Sequence, residues 1–351
     1  MSVSRLNGYG SMMLAVLLAS CAAPEIPVAT RIANALPAQS VTAAGETEAV
    51  GTANADAADD PAIWRNAADP ASSLIIGTDK KAGLHVYGLD GRSRHFNPAG
   101  QVNNVDLAQT AGGRVIVVAS DRNDRTRARI ALFQLDTATA KLDPLGTVEA
   151  GPGEAYGICL YSPPIADSGT LVNVVSVLKG GMITWFEIKN DLTARAVRSW
   201  RVPTQAEGCV VDPIAGALYV GEEDVGIWRF AMNSDAPGTL IAKADGKQLV
   251  ADVEGLAIAY GQRRYLIASS QGDNAYTVFS LPDHAYRGRF RIAAGALGAT
   301  EETDGIDVSA GSFGPGYPGG LFVAQDGDNA PAAQNFKLVS WAEVKAALNL
   351  E

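Results

Sequence analysis

Asp59-Asp60-Pro61-Ala62-Ile63-Trp64, followed by Leu74-Ile75-Ile76-Gly77-Thr78-Asp79-Lys80-Lys81, is the stretch that decides the fold. Two apolar runs of strand length are joined by a polar turn spanning 66–73. Paired antiparallel, the first run begins with two carboxylates and the second ends with two ammonium groups. Those ends lie side by side, so one short sheet sets acid and base on the same rim.

The unit recurs along the chain. Short runs that open on an acidic residue start near Asp59, Asp106, Glu154, Glu207, Glu254 and Asp304. Several read acid then Gly, as in Glu207-Gly208, Glu254-Gly255 and Asp304-Gly305. A second apolar run follows each, ending in a polar loop such as Asp121-Arg122-Asn123, Lys179-Gly180-Gly181, Glu222-Glu223-Asp224 or Asp326-Gly327-Asp328-Asn329. A third run then carries an aromatic residue, among them Tyr87, Phe133, Trp185, Trp228, Phe279 and Trp341. No helix is expected before the stretch 342–350. The repeat predicts an all-β fold, a six-bladed β-propeller of antiparallel sheets around a central channel. One rim then gathers Asp59, Asp60, Asp106, Glu154, Glu207, Glu222, Glu223, Glu254, Asp304 and Asp326 with Lys80, Lys81, Arg122 and Lys179. Its cations come mainly from the first three blades.

Composition limits the partners. The formal charge of −10 over 351 residues argues against nucleic acid, whose binders present a basic face. Arg5, the apolar run 12–19 and the small residues before Cys21 read as a lipoprotein-type signal peptide over 1–20, with Cys21 as the lipidated residue. An ordinary secretory signal is the other reading, and both take the chain out of the cytosol. The chain is therefore expected to be lipid-anchored at the cell envelope or secreted, and to meet a membrane only through that anchor. Residues 21–45 read as a flexible tether and 46–351 as the propeller. Cys159 and Cys209 either pair or stay as buried thiols; spacing leaves both open. The chain is read as a monomer.

A carboxylate rim without clustered His or thiolate ligands selects hard cations, and calcium fits best. His85, His95 and His284 are scattered, which argues against a zinc site. Six or more carboxylates around one axis repel, and bound cations or raised pKa values relieve them. Lys80, Lys81, Arg122 and Lys179 facing such a cluster make a site for a polyanion, with phosphate the natural choice. Tyr156 is placed to hydrogen-bond a phosphate oxygen or to cap the bore. An Arg-His-Gly signature, an Arg six residues after either cysteine and a Gly-x-Ser-x-Gly elbow are all absent.

Taken together, Asp59-Asp60-Pro61-Ala62-Ile63-Trp64, Asp79-Lys80-Lys81-Ala82-Gly83-Leu84, Asn103-Asn104-Val105-Asp106, Glu207-Gly208-Cys209, Asp252-Val253-Glu254-Gly255-Leu256, Thr303-Asp304-Gly305-Ile306-Asp307 and Leu321-Phe322-Val323-Ala324-Gln325-Asp326-Gly327 resemble the β-propeller phytases. These are calcium-dependent enzymes that release phosphate from inositol hexakisphosphate. The resemblance spans nearly the whole chain from Glu46. It implies several calcium ions held by Asp59, Asp60, Glu207, Glu223, Glu254, Asp304 and Asp326. It implies that Lys80, Arg122, Tyr156 and Lys179, with the ligand Glu223, act on the phosphate being cleaved, and that Lys81 serves that phosphate or a neighbouring one. Its partner would be phytate or the calcium salt, and its chemistry direct attack by calcium-bridged water. The segment 293–303 departs from the family in carrying only Glu301 and Glu302 as acids. A non-catalytic calcium-binding surface propeller and another metal-dependent propeller hydrolase, such as a lactonase, are the alternatives. On the phytase reading Asp59 belongs to the metal cluster and does not pair with Lys80.

Overall fold

Alternating apolar residues turn each repeated run into a strand that faces a neighbouring blade on both sides. The computed structural model describes Met1, residues 26–162 and residues 169–351. Cys21 and the apolar run before it lie outside the described residues. Among the described residues the strands form six sheets; four run outward from the axis in simple meander order, and those of blades 5 and 6 each add an outermost strand from the N-terminal segment. The innermost strands are Ala58–Trp64, Val102–Gln109, Ala155–Tyr161, Ala206–Asp212, Val253–Ala259 and Ile306–Ala310. The protein is a six-bladed β-propeller, as expected, and α2 (Trp341–Leu348) closes the described fold at its C-terminal end.

Its apolar packing is divided among the blade interfaces. Ile76 and Val86 of blade 1 meet Val105, Val117 and Phe133 of blade 2. The opposite face of the same strands turns Ile75 and Tyr87 toward Val323, Phe336 and Leu338 of blade 6. Each interface therefore uses one side-chain parity of a strand, and a one-residue slip would exchange the two.

Near the axis the inner strands are joined across blades by carboxylates, buried for Asp60 and partly buried for Asp106 and Asp307, that accept backbone N–H groups. Asp60 accepts from Val105 (3.0 Å), Asp106 from Leu160 (2.7 Å) and Asp307 from Ile63 (2.8 Å). Burial raises all three, Asp106 to about 6 and Asp307 to about 7. The acid-Gly pattern has a second cause here. A Cβ on Gly208 would lie 2.2 Å from the carbonyl oxygen of Glu254, and one on Gly157 would lie 1.9 Å from that of Glu207. Neighbouring inner strands touch at these points, so no side chain fits.

The tether expected over 21–45 is corrected from residue 28 onward, where regular elements form; residues 21–25 lie outside the described residues. Val28–Asn34 forms α1, a helix that the apolar spacing did not signal because none of its residues is buried. Gln39–Thr42 adds a parallel fifth strand to blade 5, and Gly45–Glu46 adds the outer strand of blade 6. Lys337 on blade 6 binds Glu46 (2.5 Å) across 291 positions of sequence. The N-terminal segment thus closes the ring.

Cys159 and Cys209 form a disulfide between the inner strands of blades 3 and 4, resolving the open pairing. Replacing both by Ser should lower stability in urea by about 2–4 kcal/mol, as should reduction of the native protein. A midpoint that does not respond to reductant would show that the bond carries no stability. Gly208→Ala should cost about 1–3 kcal/mol in the same assay, because Glu254 must move away.

Candidate active site

Five of the six inner strands, those of blades 1 to 5, enter the ring through an irregularity in register. Ala58 pairs with Asp79 and then Pro61 with Gly77; Val102 pairs with Asp121 and then Val105 with Ala119. The same step occurs after Ala155, Ala206 and Val253. These bulges aim one residue per blade at the mouth of the channel. They are Asp59, Asn103, Tyr156, Glu207 and Glu254, and Asp304 holds the matching place just before the inner strand of blade 6. Blades 2 and 3 therefore contribute Asn103 and Tyr156 to the mouth, where Asp106 and Glu154 were expected. Asp106 lies deeper in the axis, and Glu154 pairs with Arg122 (3.4 Å) and Arg125 (3.7 Å).

Glu207, Glu223 and Glu254 converge, each offering a carboxylate oxygen within 4.8 Å of the others. All three are buried. Burial raises the pKa of each, and mutual repulsion among these acids, Asp59, Asp252 and Asp304 adds to it. Glu223 is pushed up to about 7 although Gln205 donates to it (2.7 Å). Glu254 Oε2 is buried and receives no hydrogen bond. An all-oxygen trio with one such orphaned acceptor fits a hard divalent cation.

Lys80 departs from expectation. Its ammonium bridges Asp56 (2.7 Å), Asp304 (2.9 Å) and Asp59 (3.0 Å). Burial alone would lower its pKa, but the three acids together raise it, so its charge is fixed. Asp59 and Lys80 do form an ion pair; the reason is that the hairpin places them side by side in a buried ring with excess negative charge. Asp304 is held at about 8, by burial first and then by Asp59, with Lys80 opposing.

On the other side, Tyr156 is flanked by two cations. Lys179 Nζ lies 4.8 Å from the ring centroid and the Arg122 guanidinium carbon 5.9 Å. Burial, then Glu207 and Glu254, hold the phenol protonated, so its hydroxyl is a standing hydrogen-bond donor. Gln205 donates to both Tyr156 Oη (3.4 Å) and Glu223 Oε1, joining the cationic side to the acidic side.

The expected residues are thus brought together with few exceptions. Lys81 stands exposed beside Lys80. Asp60 faces the axis below the mouth. Asp326 does not join the acidic trio: its carboxylate pairs with Lys337 (3.1 Å) and accepts from Glu301 N (3.2 Å). Glu222, also placed on the rim by the sequence, is fully buried and binds Thr204 and Trp228. Asn103, which donates to Glu207 (2.7 Å), Gln205, Asp56 and Gln271, which donates to Asp304 (2.6 Å), also belong to the site; Asn103 lies in one of the quoted motifs, but none of the four was read as a site residue, since a single polar residue marks no chemistry.

The chain is 38% identical over 325 residues to the 3-phytase of Bacillus subtilis (strain 168), an alignment that takes in 87% of this chain and 84% of the relative. The family described as Phytase matches residues 10–351. On that match, and with a propeller whose mouth joins an acidic and a cationic side, the chain belongs to the phytase family of phosphate-ester hydrolases.

Proposed function

We propose that this protein is a calcium-dependent phytase that removes phosphate from inositol hexakisphosphate. The observation that carries the reading is Gln205, which ties the Glu207–Glu223–Glu254 trio to the Arg122–Tyr156–Lys179 cluster within one mouth. Phosphate has a place between a cation-binding group and fixed donors.

Glu207, Glu223 and Glu254 would hold calcium, with Asp59 and Asp304 completing the acidic ring. Calcium so bound would supply positive charge to phosphate oxygens and acidify water. Arg122 and Lys179 meet the same oxygens from the opposite side, with a guanidinium suited to bidentate contact. Tyr156 donates a proton in a hydrogen bond and keeps it. Lys80 has a fixed charge at the edge of the ring, where it serves phosphate as a point charge. The N-terminal reading supports an exported enzyme held to an envelope membrane by lipid on Cys21.

Chelation of the purified enzyme should lower phosphate release from phytate by at least about 100-fold, and added calcium should restore it. Undiminished turnover after chelation would remove calcium from the chemistry. Lys179→Ala and Arg122→Ala should each lower kcat/KM by about 100-fold, read from initial rates at saturating calcium.

Protons and calcium compete for the same oxygens. Glu223 sits at about 7 and Asp304 at about 8, both raised from the ordinary carboxylate range, so both are largely protonated at pH 5 and must lose that proton to bind a cation. The calcium concentration giving half-maximal rate should therefore rise by about tenfold or more between pH 8 and pH 5. Glu223→Gln should weaken calcium activation at every pH.

A further inference from the structure

We propose that α1 is a wall of the substrate cleft and that Arg31 contacts a phosphate of the substrate remote from the one being cleaved. The inference rests on the phytase reading above. It starts from a cavity of about 810 Å³ beside the mouth, within the range of small-molecule sites. Val28, Arg31 and Asn34 of α1 line one side; Asp56, Asp252 and Asp304 line the other. Asp56 and Asp304 are two of the three acids that bind Lys80, so this cavity is continuous with the carboxylate ring.

The position of α1 is set by its exit and not by an apolar face. None of its residues is buried. Leu36 N donates to Lys247 O (3.0 Å), and Lys247 Nζ donates to Asn34 O (2.6 Å). Arg289, fully buried and ion-paired to Asp273 (2.5 Å), donates to Leu36 O (3.0 Å). Pairing of Gln39–Thr42 with blade 5 follows at once. A helix with no core of its own is thus pinned over the cleft by a buried guanidinium and a strand.

Charge then assigns the role. Among the described residues lining the cavity, Arg31 alone is cationic, and its field reaches Asp252. Lys80, Lys81, Arg122 and Lys179 all stem from blades 1 to 3. The other charged groups lining the cavity are the acids Asp56, Asp224, Asp252, Glu302 and Asp304, so a phosphate turned to this side meets positive charge at Arg31 and repulsion elsewhere. Arg31 supplies positive charge on that side, in the planar form that suits phosphate. It is a positioning residue for a polyphosphorylated substrate and does not touch the reacting bond.

The test compares wild type, Arg31→Ala and Arg31→Lys at saturating calcium, on inositol hexakisphosphate and on p-nitrophenyl phosphate. Arg31→Ala should raise KM for the hexakisphosphate about tenfold with kcat changed less than twofold, the scale of one lost charged hydrogen bond. The KM shift for the monoester should be several-fold smaller, and Arg31→Lys should recover part of the loss. An unchanged KM in Arg31→Ala, or equal losses on both substrates in both variants, would overturn the proposal; Arg31 would then only balance Asp252. Failure of wild type to release phosphate from the hexakisphosphate would instead overturn the phytase reading, and this inference with it.

Discussion

Six strands meet at one axis only where their backbones can touch. That close approach governs the molecule. At Gly157 and Gly208 the neighbouring strand's carbonyl occupies the space a Cβ would need. Where blades 1 and 2 carry Asp60 and Asn104 at the matching positions, the room goes to polar side chains: Asp60 accepts from Val105 across blades, and Asn104 accepts from Asn103, which itself reaches Glu207. The bulge that permits the approach also turns the preceding residue toward the mouth. Active-site placement and ring packing are two results of one backbone irregularity.

The same geometry concentrates like charge in a poorly solvated place. Carboxylates there are costly unless neutralised. The structure answers with Lys80 among three acids, with Asn103, Gln205 and Gln271 donating to others, and with pKa values raised where donors are few. Each answer is local and partial, so the ring keeps an excess of acceptors aimed at its centre. That excess is the property a cation-binding enzyme needs, and it is an expensive one for a scaffold to maintain.

Much of this was legible in the residues. Acid-Gly pairs at Glu207, Glu254 and Asp304 mark ring positions because the glycine and the acid are required together. The cations Arg122 and Lys179 follow apolar runs of strand length, which places them on the rim. Counting from acids fails in blades 2 and 3, where the ring residue is Asn103 or Tyr156 and carries no charge. It fails again for Asp326 and Glu222, since an acid at a strand end serves equally well as the anchor of a loop. The ion pair of Lys80 with Asp59 is set by the net charge of a ring whose other acids come mainly from blades 4, 5 and 6, which a hairpin alone does not contain. α1 was hidden because none of its residues is fully buried, so it has no amphipathic period to read.

Closure by the N-terminal segment sets the order in which the ring can be assembled. Gln39–Thr42 and Gly45–Glu46 have their partners in Phe290–Ala293 and Lys337–Leu338, near the far end of the chain. During synthesis these residues emerge early and wait unpaired until nearly all else has followed. Blades 1 to 4 form from sequential neighbours, but the last seam joins segments of very large separation, the kind of contact that slows folding. Until it forms, blades 1 and 6 each present an open apolar face of the sort that associates between chains. The latch that holds α1 in place is therefore a seam that only a nearly complete chain can close, and chains interrupted before blade 6 lack its partner strands.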